Sequence, residues 1–297
     1  MIRIKKIMVP VDFSEPSKKA VNYGLSLALE FEAGLVLAHI APYDTVAYET
    51  AKVCLLELIP SDYRERLDFE IIVKSGEVRQ ELLGIVDEKE IDLVVMGSRG
   101  RSYFERLLLG SVTERMLRKL HVPILTVSHL DPEKEIHKPG SVPLHRILYA
   151  TDLAEGSEPG LEFSIRLARG LGGRVTVVHV VQPIDVAFHG VEAAAYLPDY
   201  LAEVRAQAAE RLDRLVALMS DGSVPVTTLL ADGVPYETIN RLAEKINADL
   251  VVINLQGKSR LERALLGTTA ERVIRTATVP VLSLPLPATY ASRWAAA

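Results

Sequence analysis

The stretch that decides the fold is DLVVMGSRGRSYFERLLLGSVTERMLRKLHVPILTV, from Asp92 to Val127. It opens on a short apolar run, 93–96, which is typical of a strand buried on both faces. Three glycines follow, and the last of them precedes Ser111 and a helical pattern over Val112–Leu120. The stretch therefore predicts a strand, a glycine-bearing loop and a helix N-terminus.

The junction between this loop and the helix has the chemistry of an anion site. Gly110 allows close approach to the backbone, and Ser111 is expected to cap the helix while the first free N–H groups face outward. Such a helix end favours phosphate, and each favourable charge contributes roughly 0.3–1 kcal/mol. Because glycine-rich loops are common, an ordinary connection between a strand and a helix is the alternative.

The spacing Gly97-x2-Gly100-x9-Gly110-Ser111 resembles the nucleotide-binding signature of the universal stress protein family, G-x2-G-x9-G-(S/T). Residues 7–14 (IMVPVDFS) are similar to the family's first strand and its acidic end, and residues 122–127 (VPILTV) are similar to its last strand. The resemblance implies a flavodoxin-like strand order and an adenine nucleotide as ligand. ATP, with Mg²⁺ as a reasonable companion, is the cofactor that it implies.

The chain is an internal duplication. Lys6–Asp12 (KIMVPVD) aligns with Arg146–Asp152 (RILYATD) at an offset of 140 residues, and beyond the second strand of each copy the offset becomes 157. The second copy therefore carries 17 additional residues between its second and third strands. We expect much of this insertion in its second helix, Tyr196–Met219, or in the loop before that helix.

Each copy alternates short apolar runs with helical patterns, which predicts βαβ units. We expect two tandem, doubly wound α/β domains of the flavodoxin and adenine-nucleotide-hydrolase type. Each should have a five-stranded, mostly parallel sheet with helices on both faces. The predicted boundaries are 1–128 for the first domain, 129–144 for a linker, 145–285 for the second domain and 286–297 for a tail.

The predicted elements of the first copy are strands near 5–10, 35–40, 68–73, 93–96 and 124–127, and helices near 16–32, 44–58, 78–89 and 112–120. Ser14 is a cap candidate for the first of these helices, with Pro16 in its first turn. The last strands of the two copies, Ile124–Val127 and Val281–Leu284, are expected to pair within the chain. Such a pseudo-dimer would remove two exposed sheet edges, and further association into a homodimer stays open.

In an open doubly wound sheet, ligands bind outside the carboxyl ends of the strands where the strand order reverses. With the order that the resemblance implies, this point lies between the first and fourth strands. The resemblance places Asp12 against a ribose hydroxyl and Ile40 against the adenine, although Asp12 could also be only a helix N-cap. The candidate nucleotide-binding residues of the first copy are Pro10, Val11, Asp12, Ile40, Met96, Gly97, Arg99, Gly100, Gly110, Ser111 and Val112.

The second copy departs from the signature at its first glycine, where it has Asn254. Asparagine tolerates a positive φ better than most residues, so the turn could still form. Its side chain would either crowd a nucleotide or supply a new hydrogen bond, and both alternatives stay open. The candidates of this copy are Thr151, Asp152, Val180, Asn254, Gly257, Gly267, Thr268 and Thr269.

Composition narrows the class of partner. A net charge of −5 with scattered basic residues gives no reason to expect nucleic acid or an anionic membrane. No apolar run approaches the roughly 20 residues of a membrane helix. A single cysteine, Cys54, excludes an internal disulfide and a cysteine-based metal site, so a cytoplasmic location is expected. His39 and His179 recur at matching places and are expected to be structural.

Three hypotheses for the function follow. The chain is either a nucleotide-responsive module in stress signalling or resistance, or a weak ATPase or phosphotransferase. The first is favoured over a dedicated enzyme because no positioned general base is visible in the sequence. In the third hypothesis, the second copy is a degenerate scaffold that serves only the pseudo-dimer.

Overall fold

The computed structural model describes residues 4–41, 45–98, 109–128, 144–154, 157–183, 190–255 and 267–285. The first copy contains, in chain order, β1 (Lys6–Pro10), α1 (Glu15–Glu30), β2 (Gly34–Ala41), α2 (Thr45–Glu57), α3 (Ser61–Arg64), β3 (Phe69–Ser75), α4 (Val78–Glu88), β4 (Leu93–Gly97), α5 (Ser111–Lys119) and β5 (Ile124–Val127). The second contains β6 (Arg146–Ala150), α6 (Ser157–Gly170), β7 (Arg174–Val181), α7 (Gly190–Met219), β8 (Val226–Asp232), α8 (Pro235–Lys245), β9 (Leu250–Asn254), α9 (Thr268–Thr276) and β10 (Val281–Leu284).

All ten strands form one sheet, in the order β3-β2-β1-β4-β5-β10-β9-β6-β7-β8. Every pairing within a copy is parallel, and the order reverses between β1 and β4 and again between β6 and β9. The predicted fold class is confirmed, since each copy contributes five parallel strands with helices packed on both faces. The reversal point of the first copy also lies where the family's strand order placed it.

The two faces of the sheet have separate apolar cores because alternate strand residues point to opposite faces. One core packs under α1, α2, α6 and α7, and it is continuous across both copies. The other packs under α4, α5, α8 and α9. On β4, Val95 belongs to the first core and Met96 to the second, although both are buried. Neighbouring side chains at the end of one strand therefore point to opposite faces of the sheet.

The two copies meet where β5 and β10 pair antiparallel, with Leu125 opposite Leu282. The predicted pairing of the last strands within the chain is confirmed. Two hydroxyls strengthen the seam, since Thr126 Oγ1 donates to the carbonyl of Val281 at 3.0 Å and Ser128 Oγ donates to that of Ala277 at 2.5 Å. Neither strand presents an unpaired edge at the centre of the sheet.

The element boundaries of the first copy differ from the predicted ones by one or two residues. Two larger differences concern the segment between the second and third strands. The short helix α3 was not predicted, and α7 begins at Gly190, six residues before its predicted start at Tyr196. With 30 residues against 13 in α2, helix α7 is longer by the full 17 residues of the insertion.

The predicted linker lies almost wholly outside the described residues, and so does the tail from 286 onward. No helix in the described part of the chain combines the length and the apolar character that spanning a membrane requires.

Candidate functional site

The crevice between β1 and β4 brings the candidate residues of the first copy to one edge of the sheet. β1 lies between β2 and β4, and the parallel pairing aligns the carboxyl ends of all three strands. Pro10 ends β1, and the amide of Val11 donates to the carbonyl of Ala38 on β2 at 2.8 Å. This bond directs the chain out of the sheet at the point where Asp12 follows.

Asp12 is held by the turn that begins α1. Its Oδ1 accepts the amide of Ser14 at 3.0 Å and the Ser14 hydroxyl at 2.5 Å. Ser14 is the N-cap of α1, because its hydroxyl accepts the amide of Ser17. The predicted cap at Ser14 is thus confirmed, and the alternative that Asp12 itself caps the helix is wrong. The carboxylate is instead the group that orients the cap.

Strained backbone follows the aspartate in both copies, which the sequence did not reveal. Phe13 has φ 62° and Leu153, at the matching position, has φ 58°. Bulky residues rarely adopt this region, and such strain is concentrated at functional sites. In both copies the turn after the first strand therefore has a defined shape despite an unfavourable residue.

The recurring histidines hold the same turn from the second strand. Nδ1 of His39 lies 2.7 Å from the carbonyl oxygen of Val11, and Nδ1 of His179 lies 2.9 Å from that of Thr151. The His39 ring also packs on Phe13, with 4.8 Å between ring centroids. These contacts agree with the structural role that was expected of both histidines.

The N-terminus of α5 lies directly beside the end of β4. The Thr113 hydroxyl in its first turn donates to the carbonyl of Gly97 at 3.0 Å, and the Gly110 amide donates to that of Ser98, also at 3.0 Å. These two bonds fix both ends of the loop that carries the glycine signature. The first N–H groups of α5 consequently face the carboxyl edge of the sheet.

The prediction that Ser111 caps α5 is wrong. Ser111 is the first helical residue, and Gly110 is the N-cap, with φ −60° and ψ 137°. Gly110 has no side chain that could accept a hydrogen bond from the first N–H groups of the helix. A glycine cap leaves the N–H groups of the first turn without a covering side chain, which is what an anion site needs.

The apolar candidates share one face of the sheet. Ile40 on β2, Met96 on β4 and Val112 on α5 all pack in the core beneath α4 and α5. An apolar slot at this edge would therefore open on the same side as the N-terminus of α5. Arg99 and Gly100 lie outside the described residues, as does Gly257 of the second copy.

The second copy repeats much of this arrangement. The Asp152 Oδ1 accepts the amide of Ala154 at 3.0 Å, and Val180 lies in the same core as Ile40. Gly267 caps α9 with φ −60° and ψ 134°. The remaining candidates are Thr268 and Thr269, the first two residues of α9, and Thr151, whose buried hydroxyl donates to the Ser157 hydroxyl at 2.7 Å and accepts the Leu153 amide at 3.0 Å.

Asn254 departs from its expected conformation. It is the last residue of β9, paired with Leu284, and it is not among the described residues with a positive φ. The interpretation of Asn254 as a substitute for glycine in a left-handed turn is therefore wrong. Its side-chain amide instead donates to the hydroxyl of Tyr149 at 3.2 Å.

Across the described residues, no three His, Cys, Asp or Glu side chains form a group that could hold a metal ion. The arrangement at the carboxyl edge instead combines N–H donors at a helix end, an oriented carboxylate and an apolar wall. Such a combination suits a ligand with an anionic end, hydroxyl groups and a flat apolar part.

Comparison with known proteins places the chain in a family. The sequence model of the Universal stress protein family matches residues 3–128 and again residues 143–285. Universal stress protein MJ0531 of Methanocaldococcus jannaschii is 30% identical over 146 residues, which cover 44% of this chain and 85% of that protein.

A solved structure agrees on the fold over nearly the whole chain. A universal stress protein of Archaeoglobus fulgidus superposes with a TM-score of 0.68 over 96% of this chain and 97% of that chain, at 22% identity. A universal stress protein solved in complex with cAMP is 26% identical, covering 42% of this chain and 98% of that chain with a TM-score of 0.36.

Proposed function

The chain belongs to the universal stress protein family, and we propose that its first copy binds ATP at the crevice between β1 and β4. In this proposal the chain is a nucleotide-responsive module of stress signalling or resistance, and Mg²⁺ accompanies the phosphates. The second copy completes the sheet through β5 and β10.

The observation that carries the proposal is the N-terminus of α5, whose cap residue Gly110 has no side chain, at the reversal point of the strand order. Anions bind at helix N-termini because the first N–H groups lack partners within the helix and the helix dipole adds a partial positive charge. The Thr113–Gly97 bond holds this end against the sheet. Gly110, Ser111 and Val112 would donate to the phosphates. The candidates Gly97 and Gly100 belong to the same signature, and Arg99 lies between them.

The nucleoside end of the ligand fits the other groups. Asp12 is oriented by Ser14 and would accept a hydrogen bond from a ribose hydroxyl. Pro10 and Val11 would border the ribose, while Ile40 and Met96 would contact the adenine. Because Asp12 faces the sugar in this arrangement, it would not activate water at the γ-phosphate. We therefore expect slow hydrolysis or none, and a dedicated enzyme is the less favoured function.

Calorimetric titration of nucleotide-stripped protein with ATP and Mg²⁺ tests the proposal. Gly110→Val should weaken binding by about 10- to 100-fold, because the branched side chain would cover N–H groups that donate to a charged phosphate. Valine readily adopts the φ and ψ of Gly110, so the helix itself should be preserved.

Gly267→Val is the matched control, since Gly267 has nearly the same backbone angles at the start of α9. It should leave the affinity of the first copy unchanged. Equal affinity of the wild type and the Gly110→Val variant would contradict the proposed site, and the absence of ATP binding to the wild type would contradict the proposed ligand.

A further inference from the structure

We propose that His39 and Phe13 are positioning residues of the nucleotide site, which orient the Asp12 carboxylate for a ribose hydroxyl without touching the ligand. The inference rests on the proposed function, in which Asp12 accepts a hydrogen bond from the ribose. It predicts that the choice between a ribose and a sugar without hydroxyls depends on a histidine on the opposite face of the sheet.

His39 lies on the face of the sheet opposite the proposed apolar slot. Its neighbours on β2, Ala38 and Ile40, both pack in the core beneath α4 and α5, and successive residues of a strand point to opposite faces. The His39 ring accordingly packs on Phe13, which contacts the core under α1 and α2. A nucleotide between Ile40 and Met96 would therefore be separated from the imidazole by the sheet.

The imidazole holds the backbone immediately before Asp12. Its Nδ1 lies 2.7 Å from the carbonyl oxygen of Val11. Because a carbonyl oxygen can only accept a hydrogen bond, Nδ1 carries the proton and donates it to this bond. The amide of Val11 donates to the carbonyl of Ala38 at 2.8 Å. Both backbone polar groups of Val11 are thus bound to β2, and Asp12 follows from a fixed peptide group.

Phe13 sets the direction of the chain immediately after Asp12. Its φ of 62° lies in the left-handed region, where a bulky residue persists only if its surroundings enforce that conformation. Two bonds from Ser14 to the Asp12 carboxylate span this residue, one from the amide at 3.0 Å and one from the hydroxyl at 2.5 Å. A return of Phe13 to a negative φ would turn the chain and break both bonds. The carboxylate therefore keeps its orientation only while Phe13 keeps its conformation.

The contact between the two rings links these anchors. The ring centroids of Phe13 and His39 lie 4.8 Å apart with 49° between their planes, within the range of a favourable aromatic pair. A turn of the backbone at Phe13 would carry its ring away from His39, so the contact stabilises the left-handed conformation. Loss of the imidazole would remove this contact and the bond to Val11 together. We therefore expect Asp12 to lose its orientation in a His39→Ala variant.

The second copy contains the same arrangement with different neighbours. Asp152 is followed by Leu153 with φ 58°, and Nδ1 of His179 lies 2.9 Å from the carbonyl oxygen of Thr151. Leucine and alanine occupy the positions that hold phenylalanine and serine in the first copy. The histidine, the aspartate and the left-handed residue thus recur as a set. His179→Ala is consequently the matched control, because it removes the equivalent bond outside the first site.

The test compares the binding of ATP and of 2′,3′-dideoxy-ATP, which lacks the ribose hydroxyls, by calorimetry of the full chain with Mg²⁺. Every protein carries Gly267→Val, which covers the start of α9, so that the titration reports the first copy. The bond to Asp12 should make this parent protein bind ATP about tenfold or more tightly than the dideoxy nucleotide. His39→Ala should bring this ratio of dissociation constants towards one by weakening ATP alone. His179→Ala should keep the ratio of the parent.

A merely structural role of His39 would give a different result. It would lower the melting temperature and would weaken both nucleotides by the same factor, or neither. A folded His39→Ala variant with the ratio of the parent would overturn the positioning role, while the proposed function would stand. His39→Asn is the conservative variant: its side-chain amide can also donate to the carbonyl of Val11, so it should restore part of the ratio.

If His39→Ala does not fold, His39→Leu takes its place. Leucine keeps apolar packing against Phe13 but cannot donate to the carbonyl of Val11. Its ratio should also fall below that of the parent, and an unchanged ratio would overturn the proposal.

Failure of the proposed function would be visible in the parent protein. If the parent binds neither nucleotide, the ATP site between β1 and β4 is refuted, and the inference falls with it. If the parent binds both nucleotides equally, the crevice still binds a nucleotide, but Asp12 does not select the ribose and the positioning role is overturned.

Discussion

At the scale of single residues, Asp12 is the candidate side chain whose position is fixed by the turn after β1. Its carboxylate accepts two bonds from Ser14 and lies beside the strained Phe13. Gly110 has φ −60°, which any residue can adopt, so its value lies in the absence of a side chain. Under the proposed function, the absence of a side chain at this position keeps the backbone donors of α5 accessible to phosphate.

We predict that Asp12→Ala weakens ATP binding by about tenfold or more, because it removes the acceptor for the ribose hydroxyl. Titration calorimetry measures the change. Ser14→Ala is a control that removes the cap of α1 but keeps the carboxylate, and it should weaken binding less. An Asp12→Ala protein with the affinity of the wild type would show that the aspartate is only part of the turn.

A second aspartate stabilises the opposite edge of the sheet. Burial alone would raise the pKa of Asp249, but the hydrogen bonds and charge of Arg146 outweigh it and hold the pKa below its ordinary value of 3.8. The carboxylate accepts the Arg146 guanidinium at 2.7 Å and the Arg146 amide at 2.9 Å. Since the folded state lowers this pKa, the stabilisation is present above about pH 4 and is lost as the pH falls through the folded pKa.

We therefore predict that Asp249→Asn lowers the free energy of unfolding by about 1–3 kcal/mol at pH 7. The difference from the wild type should shrink as the pH falls below about 4, which denaturant titrations at several pH values would measure. Asp92→Asn is the matched variant of the first copy, where the carboxylate accepts the backbone amides of Lys5 and Lys6. A constant difference at every pH would contradict the role of the charge.

The identities of the candidate site residues could be predicted from the sequence better than their conformations and contacts. The signature and Asp12 could be read from spacing, because the family resemblance is carried by those positions. The hydrogen bond of Asn254 could not be read from the sequence, because its partner Tyr149 lies 105 positions away. Gly160, whose lack of a side chain leaves room for both, lies on α6. A comparison of the two copies position by position, at Val9 and Tyr149, was the signal that could have found it.

At the scale of elements, the two copies end matching helices in different ways. Helix α1 is followed by Glu32 with φ 50°, whereas α6 is followed by Gly172 with φ 62°. In each case the amide three residues beyond the helix donates to a carbonyl of its last turn, from Ala33 to Ala28 and from Gly173 to Ala168. Glycine suits this left-handed position and glutamate does not.

We predict that Glu32→Gly raises the free energy of unfolding by up to about 1 kcal/mol, since relief of the left-handed strain exceeds the added entropy of the unfolded chain. Chemical denaturation measures this change in the free energy of unfolding. The reverse variant, Gly172→Glu, should lower the free energy of unfolding by a similar amount. A Cβ there would meet no neighbouring atom, so the left-handed backbone conformation is the source of the strain. Opposite signs for the two variants are the expected result, and equal signs would contradict the argument.

Element type was predictable from periodicity, whereas the helix ends were decided by contacts. Buried strands such as β4 appear in the sequence as apolar runs, and both faces are indeed covered. The start of α5 moved by one residue because Gly110 rather than Ser111 took the cap. Helix α3 is only four residues long, which is too short for a hydrophobic period to identify.

At the scale of the whole molecule, the duplication forms one sheet with an antiparallel seam. The order of its strands followed from the family resemblance, and the seam followed from the need to cover two edges. Leu125 and Leu282 face each other there, and both belong to the core that runs through both copies. The two halves should consequently unfold together in the wild type.

We predict that Leu282→Ala costs about 2–5 kcal/mol and separates the unfolding of the two halves, because it removes buried contacts from the seam. Scanning calorimetry would show two transitions in place of one. Leu55→Ala, in the core under α2, is the control: it should lower stability without separating the transitions. A single transition for both variants would mean that the halves stay coupled without Leu282, which would contradict the role assigned to this residue.

We propose that the first copy binds ATP between β1 and β4, and a crystal structure of the full chain grown with ATP and Mg²⁺ tests this most directly. We expect density for a nucleotide with its phosphates at the N-terminus of α5 and its ribose at Asp12. An empty crevice between β1 and β4 at saturating ATP would contradict the proposed function.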